Sequence, residues 1–284
     1  MVSVDVLSVA IRALSFVALF QATGLALFYV LLGHLYPASQ PNLIHIGVRS
    51  ALTGIVLVLG HQLLAGARMA GEFTGMTDLS MQLIGLQSSS GVANMIRIAG
   101  LIVIAVAMRR EHVVWKSAGV LLVVLSFIYT GHTSNNADHW LLAPVLMLHL
   151  LAGIFWFGGF MPLYLVSQNT SGRGLSALIG AFSAIAVWLV PSMALAGVVM
   201  AIVLLPDANS FQTTYGRLLL LKVTVFALLM GLATLNKWRF SPGIARGEWH
   251  AVRAFRLSVS VEYVLIVCVL ILTAVMTGLF SPEG

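Results

Sequence analysis

The stretch WLLAPVLMLHLLAGIFWFGGFMPLYLV, residues 140–166, is a continuous apolar run that contains one imidazole, His149. It exceeds the roughly 20 residues that a helix needs to cross the hydrocarbon core of a bilayer. At about 1.5 Å per residue, His149 lies about 13 Å below the helix start. An ionisable group at that depth is costly and usually functional, although a neutral histidine bonded to a neighbouring carbonyl is the alternative. We therefore predict a membrane helix that carries a functional imidazole.

The composition of the whole chain indicates an integral membrane protein. Hydrophobic residues make up 60% of the chain and charged residues only 8%, against about one quarter charged in soluble domains. The net charge of +6 comes from residues at the ends of apolar runs, so it predicts orientation in the membrane and not nucleic-acid binding. The single cysteine, Cys268, excludes an internal disulfide. No nucleotide-binding or hydrolase motif is found, and we predict a non-enzyme without a nucleotide partner.

Apolar runs of spanning length predict an all-α, polytopic helix bundle with eight transmembrane helices, in a single domain over residues 1–284. The first run is too long for a cleavable signal and lacks its basic region, so we expect a retained helix. The eight runs lie near residues 6–32, 46–67, 92–109, 113–131, 140–167, 177–205, 216–236 and 257–280.

Lysine and arginine predict the orientation of this bundle. The loops after the first, third, fifth and seventh predicted helices, with their flanks, carry ten of these residues, and the opposite side carries five. Because cytoplasmic loops are enriched in positive charge, the side with ten is expected to be cytoplasmic. Both termini then lie on the outer side of the membrane, which is the periplasmic side if the cell is a Gram-negative bacterium.

This orientation divides the histidines and suggests a metal. Imidazole and thioether ligands together suit copper, whereas methionine that merely fills gaps between helices is the alternative. The predicted cytoplasmic histidines are His34, His45, His112 and His250. The predicted ligands on the periplasmic side or in its half of the membrane are His61, His132, His139, His149, Met69 and Met147.

Two groups of candidates support a site open to the periplasm. The loop TGHTSNNADHW, residues 130–140, holds His132 and His139 without any lysine or arginine, so it can hold a cation, although a plain polar turn is the alternative. His61 lies about 10 Å inside its predicted helix, a depth comparable to that of His149. The two imidazoles are therefore able to meet, unless His61 is simply a packed, neutral side chain.

Further polar residues lie within the later predicted helices. Lys222 and Glu262 differ in depth by more than one salt-bridge length, so Glu262 is expected to pair with Asn236 or with the basic inner loop. Both charges have a structural alternative, which is to hold helices in register. Trp156 lies on the same helix face as His149, and the glycines of that helix are expected to let its neighbours approach closely. Pro191 is expected to free backbone carbonyls near Ser192.

Several motifs resemble those of the copper resistance protein D family of bacterial inner-membrane proteins. The motifs are GHTSNNAD, MLHLLAGIFWFGGFMP, AFSAIAVWLVPSMALAG, YGRLLLLKVTVFALLMGLATLNKWRFSP and SVEYVLIV. The similarity covers residues 126–284 well and residues 1–110 thinly, where GMTDLS around Asp78 is the best local match. The family residues that it suggests here are His132, His149, Trp156, Lys222, Asn236 and Glu262.

The resemblance implies copper handling across the inner membrane, beside a periplasmic copper-binding partner that some relatives carry as a fused domain. No such domain follows residue 280 here, so a separate partner protein is expected. A second hypothesis is an electron-transfer protein in which His61 and His149 are the axial ligands of a b-type haem. A third is a non-catalytic scaffold subunit.

Overall fold

All regular structure in the described residues is helical, which confirms the predicted all-α class. The computed structural model describes residues 3–35, 41–110, 112–131, 139–169, 173–205 and 207–280. Its α-helices are α1 (Val4–Leu32), α2 (Pro41–Ala70), α3 (Leu79–Gln87), α4 (Ser89–Ala107), α5 (Val113–Ser126), α6 (His139–Asn169), α7 (Arg173–Leu204), α8 (Thr214–Leu235), α9 (Ser241–Ala245) and α10 (Trp249–Leu279).

Seven segments of the described chain are long and apolar enough to span a membrane. They contain α1, α2, α4, α6, α7, α8 and α10. The remaining predicted span is present as a shorter apolar helix, Val113–Tyr129, which at about 1.5 Å per residue is about 26 Å long and shorter than the roughly 30 Å hydrocarbon core. The structure thus supports a multi-pass bundle, while the eighth span and the orientation stay predictions.

Helix α1 is the central helix of the bundle. It packs against α2, α5, α6 and α10, and Leu19, Ala22 and Leu25 on it are fully buried. A helix that is apolar on all sides can bury its whole circumference in this way. As a result, α1 lies between α2, which carries His61, and α6, which carries His149.

Glycines bring α1 and α6 into direct backbone contact. A Cβ atom on Gly24 of α1 would lie 2.5 Å from the Ile154 carbonyl oxygen and 2.6 Å from the Gly158 Cα of α6. The neighbouring Gly159 faces the Phe182 ring of α7. The two glycines of the W-x-G-G motif therefore serve helix packing, as expected from the sequence.

Helix α3 lies in the connection between α2 and α4 and was not predicted. Asp78 is its N-cap and accepts hydrogen bonds from the backbone N–H groups of Ser80, at 2.9 Å, and Met81, at 3.3 Å. The Ser80 hydroxyl bonds to the same oxygen, and together these bonds lower the pKa of Asp78. Gln82 donates to the Leu63 carbonyl at 3.0 Å and so joins α3 to α2. Asp78 thus has a local structural role.

Candidate metal site

His149 is held by a single hydrogen bond to the neighbouring helix. Its Nδ1 lies 2.9 Å from the backbone carbonyl oxygen of Met193 on α7. A carbonyl only accepts, so Nδ1 carries the proton and Nε2 of the neutral ring carries the lone pair. In the described part of the chain, no hydrogen bond engages Nε2. This is the carbonyl bond that the structural alternative for His149 requires. It is also compatible with metal binding, because histidines that bind metals commonly donate their other ring N–H to a carbonyl.

The local sequence of α7 makes room for this imidazole. Gly197 faces it, because a Cβ atom there would lie 3.4 Å from His149 Cε1. Pro191, inside the same helix, has no N–H to donate to the Val187 carbonyl one turn earlier. The seam between α6 and α7 therefore combines a small residue, an interrupted backbone ladder and the His149 ring.

A thioether lies on the same seam. Met193 is buried, with 8% of its surface exposed, and its Sδ lies 3.5 Å from the position that a Cβ on Gly153 would take. Gly153 follows His149 by one helical turn and so lies on the same face of α6. One imidazole and one thioether thus lie along the same seam between the two helices. Met147, also on α6, is partly buried against the core.

Two other predicted residues belong to α6 and α8. Trp156 lies on α6, and Lys222 lies on α8. Lys222 interacts electrostatically with His149, and it has neither a hydrogen bond nor an ion pair with any described residue. Trp156 is 3% exposed, with its ring centroid 6.2 Å from those of Phe160 and Phe226. Trp156 therefore packs α6 against α8, and a positive charge on Lys222 would oppose a cation bound at His149.

His61 lies in a different environment from His149. Its Nε2 is buried and has no partner within the described residues, and Arg12, Arg68 and Arg97 interact with the ring electrostatically. No described contact joins His61 to His149, and α1 packs between their helices. Three positive charges disfavour a metal cation at His61. The structure gives no support to a site, for copper or haem, that these two histidines share.

The remaining predicted ligands are dispersed. His132 lies outside the described residues, His139 is exposed at the start of α6, and Met69 is 45% exposed at the end of α2. Within the described ranges, no three histidine, cysteine, aspartate or glutamate side chains lie close enough to share a metal ion. Any metal site in this part of the chain therefore needs thioether, backbone or other ligands.

Glu262 is buried and partnered, as its depth led us to expect. It is 1% exposed and accepts hydrogen bonds from Asn236 Nδ2 and, at 3.2 Å, from the Ser258 hydroxyl. Asn236 begins a π-helical stretch, Asn236–Phe240, at the end of α8. Wide helical turns of this kind often mark functional positions. Glu262 thus joins α10 to α8 and is not paired with Lys222.

A polar network around Arg97 was not predicted from the sequence. This guanidinium is 6% exposed and donates to Ser126 Oγ and Asn94 Oδ1, each at 3.1 Å, and to Thr130 Oγ1 at 2.9 Å. Asn94 donates in turn to Gln62 Oε1 at 2.9 Å. The spacing of Asn94 and Arg97, three residues apart inside an apolar run, was the available signal, since such residues share one helix face.

The seven long apolar helices and the polar residues within them define a multi-pass membrane protein. Residues 176–276 match the family model of copper resistance protein D. The copper resistance protein D of Pseudomonas syringae pv. tomato is 29% identical over 98% of both chains. The inner membrane protein YebZ of Escherichia coli strain K12 is 26% identical over 46% of this chain and 47% of its own length. No solved structure matches.

These matches confirm the resemblance to the copper resistance protein D family that the motifs indicated. The family model covers α7, α8 and most of α10, which include Met193, Lys222, Asn236 and Glu262. The Pseudomonas relative extends the similarity over 98% of this chain. Copper resistance is therefore the function to which these relationships point.

Proposed function

We propose that this protein handles copper without catalysis, capturing it at the periplasmic face and holding or passing it within the helix bundle, with His149 as the central ligand. The observation that carries the proposal is the hydrogen bond from His149 Nδ1–H to the Met193 carbonyl. It fixes the tautomer that presents the Nε2 lone pair, and neutral imidazole is a good copper ligand.

Met193 is the second ligand of the proposed site. Its thioether is buried in the seam where His149 lies, and thioether ligands favour Cu(I). In the proposed path, His132, His139 and Met69 receive copper at the periplasmic surface, and Met147 lies beside the inner site. A separate periplasmic copper-binding protein is the proposed donor or acceptor.

Lys222 limits how tightly copper is held. Because its ammonium group interacts electrostatically with His149, a copper ion at Nε2 would be repelled by a like charge in a low-dielectric environment. A site that must release copper benefits from such weakening. Lys222→Leu, which removes the charge without adding a copper ligand, is expected to raise copper affinity.

The experiment compares Cu(I) binding by detergent-purified parent protein and variants, in competition with a chromophoric chelator. His149→Leu should lose the intramembrane copper, and Met193→Leu should bind it at least tenfold more weakly. His45→Leu is the matched control, because His45 is an exposed histidine in membrane helix α2 and leucine is well tolerated there.

Two results would contradict the proposal. One is a folded His149→Leu protein that binds copper as tightly as the parent. The other is a Soret band with sharp reduced α and β bands in the parent, which would support the haem hypothesis. Copurification with a partner, in the absence of both metal and pigment, would favour a scaffold.

A further inference from the structure

A cluster of positive charge lies at the end of the bundle where α1 and α4 begin and α2 ends. It consists of Arg12, Arg68 and Arg97 around the ring of His61, and we call it the arginine cluster. All three guanidiniums interact electrostatically with that ring, and Arg12 acts on Arg97 as well. Three positive charges and one imidazole are thus gathered within the membrane-spanning segments.

The described carboxylates do not balance this charge. Asp5 is the only one that forms an ion pair in the cluster, with Arg68 at 3.4 Å, and both side chains are largely exposed. Arg97 is bound by neutral oxygens alone and lies over the Phe127 ring at 4.5 Å. Arg12 donates to the Thr277 carbonyl at 3.2 Å. Arg97 is buried and Arg12 is half-buried, and an arginine without an anion is expensive inside a membrane, so these two charges call for a negative partner.

Several hydrogen-bond donors in or beside the arginine cluster also have no acceptor among the described residues. Arg97 uses three of the five N–H groups of a guanidinium within the described chain. Gln62 is 8% exposed, and its Nε2 is buried without a partner among the described residues. Nε2 of His61 is also buried without a partner in this part of the chain, and it is a donor in the tautomer that carries the proton there. Buried donors in native proteins are nearly always satisfied, so their excess here indicates an acceptor-rich ligand.

The position of the cluster places it within reach of the membrane surface. Helix α1 has 29 residues, about 43 Å at 1.5 Å per residue, and so extends about 6 Å beyond each face of a 30 Å hydrocarbon core. Arg12 lies about 12 Å from its start, and helical side chains tilt toward the N-terminus. Arg97 lies at the same distance from the start of α4 and reaches Thr130 beyond the end of α5. Both guanidiniums therefore point toward the headgroup region.

We propose that the arginine cluster binds a phosphate group, supplied either by a phospholipid headgroup or by free inorganic phosphate. Phosphate carries the charge that Arg12 and Arg97 lack, and its oxygens match the forked geometry of guanidinium donors. His61 Nε2–H would add a further donor. This assignment makes His61 part of an anion site and separates it from the copper site at His149.

The test uses delipidated protein in a maltoside detergent. Binding of inorganic phosphate is measured by the shift in unfolding temperature against sodium chloride of equal ionic strength, and binding of dimyristoyl phosphatidylglycerol by native mass spectrometry. Arg12→Gln and Arg97→Lys should each weaken binding at least tenfold. Arg217→Gln removes one charge from an exposed arginine of α8 outside the cluster and should leave binding unchanged.

Comparison of phosphatidylglycerol with inorganic phosphate shows whether the phosphate group comes from a lipid headgroup or from the free anion. Binding of the lipid alone identifies a headgroup site, and binding of inorganic phosphate identifies a site for the free anion; either result supports the proposal. If neither ligand binds the parent, or if Arg12→Gln binds as the parent does, the proposal is overturned. Copper binding at His149 should be the same in parent and Arg12→Gln, so failure here is distinguishable from failure of the copper site.

Discussion

Substitution of Gly24 by alanine should destabilise the protein by forcing its two central helices apart. The new Cβ would lie 2.5 Å from the Ile154 carbonyl oxygen and 2.6 Å from the Gly158 Cα, whereas ordinary contacts are 3.4–4 Å. The atoms that the new Cβ would meet are backbone atoms of α6, so no side-chain rotation relieves the clash. Helices α1 and α6 would therefore have to separate by about 1 Å. Overpacking of this kind typically costs about 1–3 kcal/mol.

The matched control is Gly180→Ala in α7. Gly180 is also helical, but nothing lies within 4 Å of its added Cβ. The only expected effect is therefore a stabilisation of about 1 kcal/mol from the better helix propensity of alanine. Unfolding of both variants by sodium dodecyl sulfate titration in mixed micelles would measure the difference. If Gly24→Ala unfolds at the same midpoint as Gly180→Ala, the close approach of α1 and α6 is wrong.

The polar residues lead to three more tests. Glu262→Gln should retain the fold and alter copper handling, whereas Glu262→Leu should lower the unfolding temperature, because losing a buried partner costs about 1–3 kcal/mol; two variants as stable and active as the parent would refute a role for the carboxylate. Asp78→Ala should speed hydrogen exchange at the start of α3. In the parent, the Asp78 cap is complete above the unfolded pKa of about 4, and it is lost as the pH falls through the lower pKa that Asp78 has in the folded protein. Exchange at the start of α3 in the parent should therefore speed up toward that of the variant at low pH. Equal exchange in both proteins at neutral pH would exclude the cap. Simultaneous alanine substitution of the four predicted cytoplasmic histidines should leave copper stoichiometry unchanged, and loss of half the metal would contradict the orientation or the site; these residues are His34, His45, His112 and His250.

The sequence was sufficient for the membrane helices and for the depth of their polar residues. Apolar length predicts a span because the hydrocarbon core has a fixed thickness, and seven of the eight predicted spans form helices of that length. Depth alone also predicts that Glu262 is partnered, and Asn236 is the partner. Helix α3 was missed because it is short and its single N-cap, Asp78, resembles a turn signal.

The partners of each polar side chain were decided by the tertiary structure. His61 and His149 have comparable predicted depths, yet one ring lies among arginines and the other donates to the Met193 carbonyl. Sequence spacing gives the distance of a residue along its helix, but the packing order of the helices determines which neighbour it faces. Here α1, whose middle turns are buried, lies between α2 and α6. The position of a third helix therefore places two imidazoles of comparable predicted depth in two different environments.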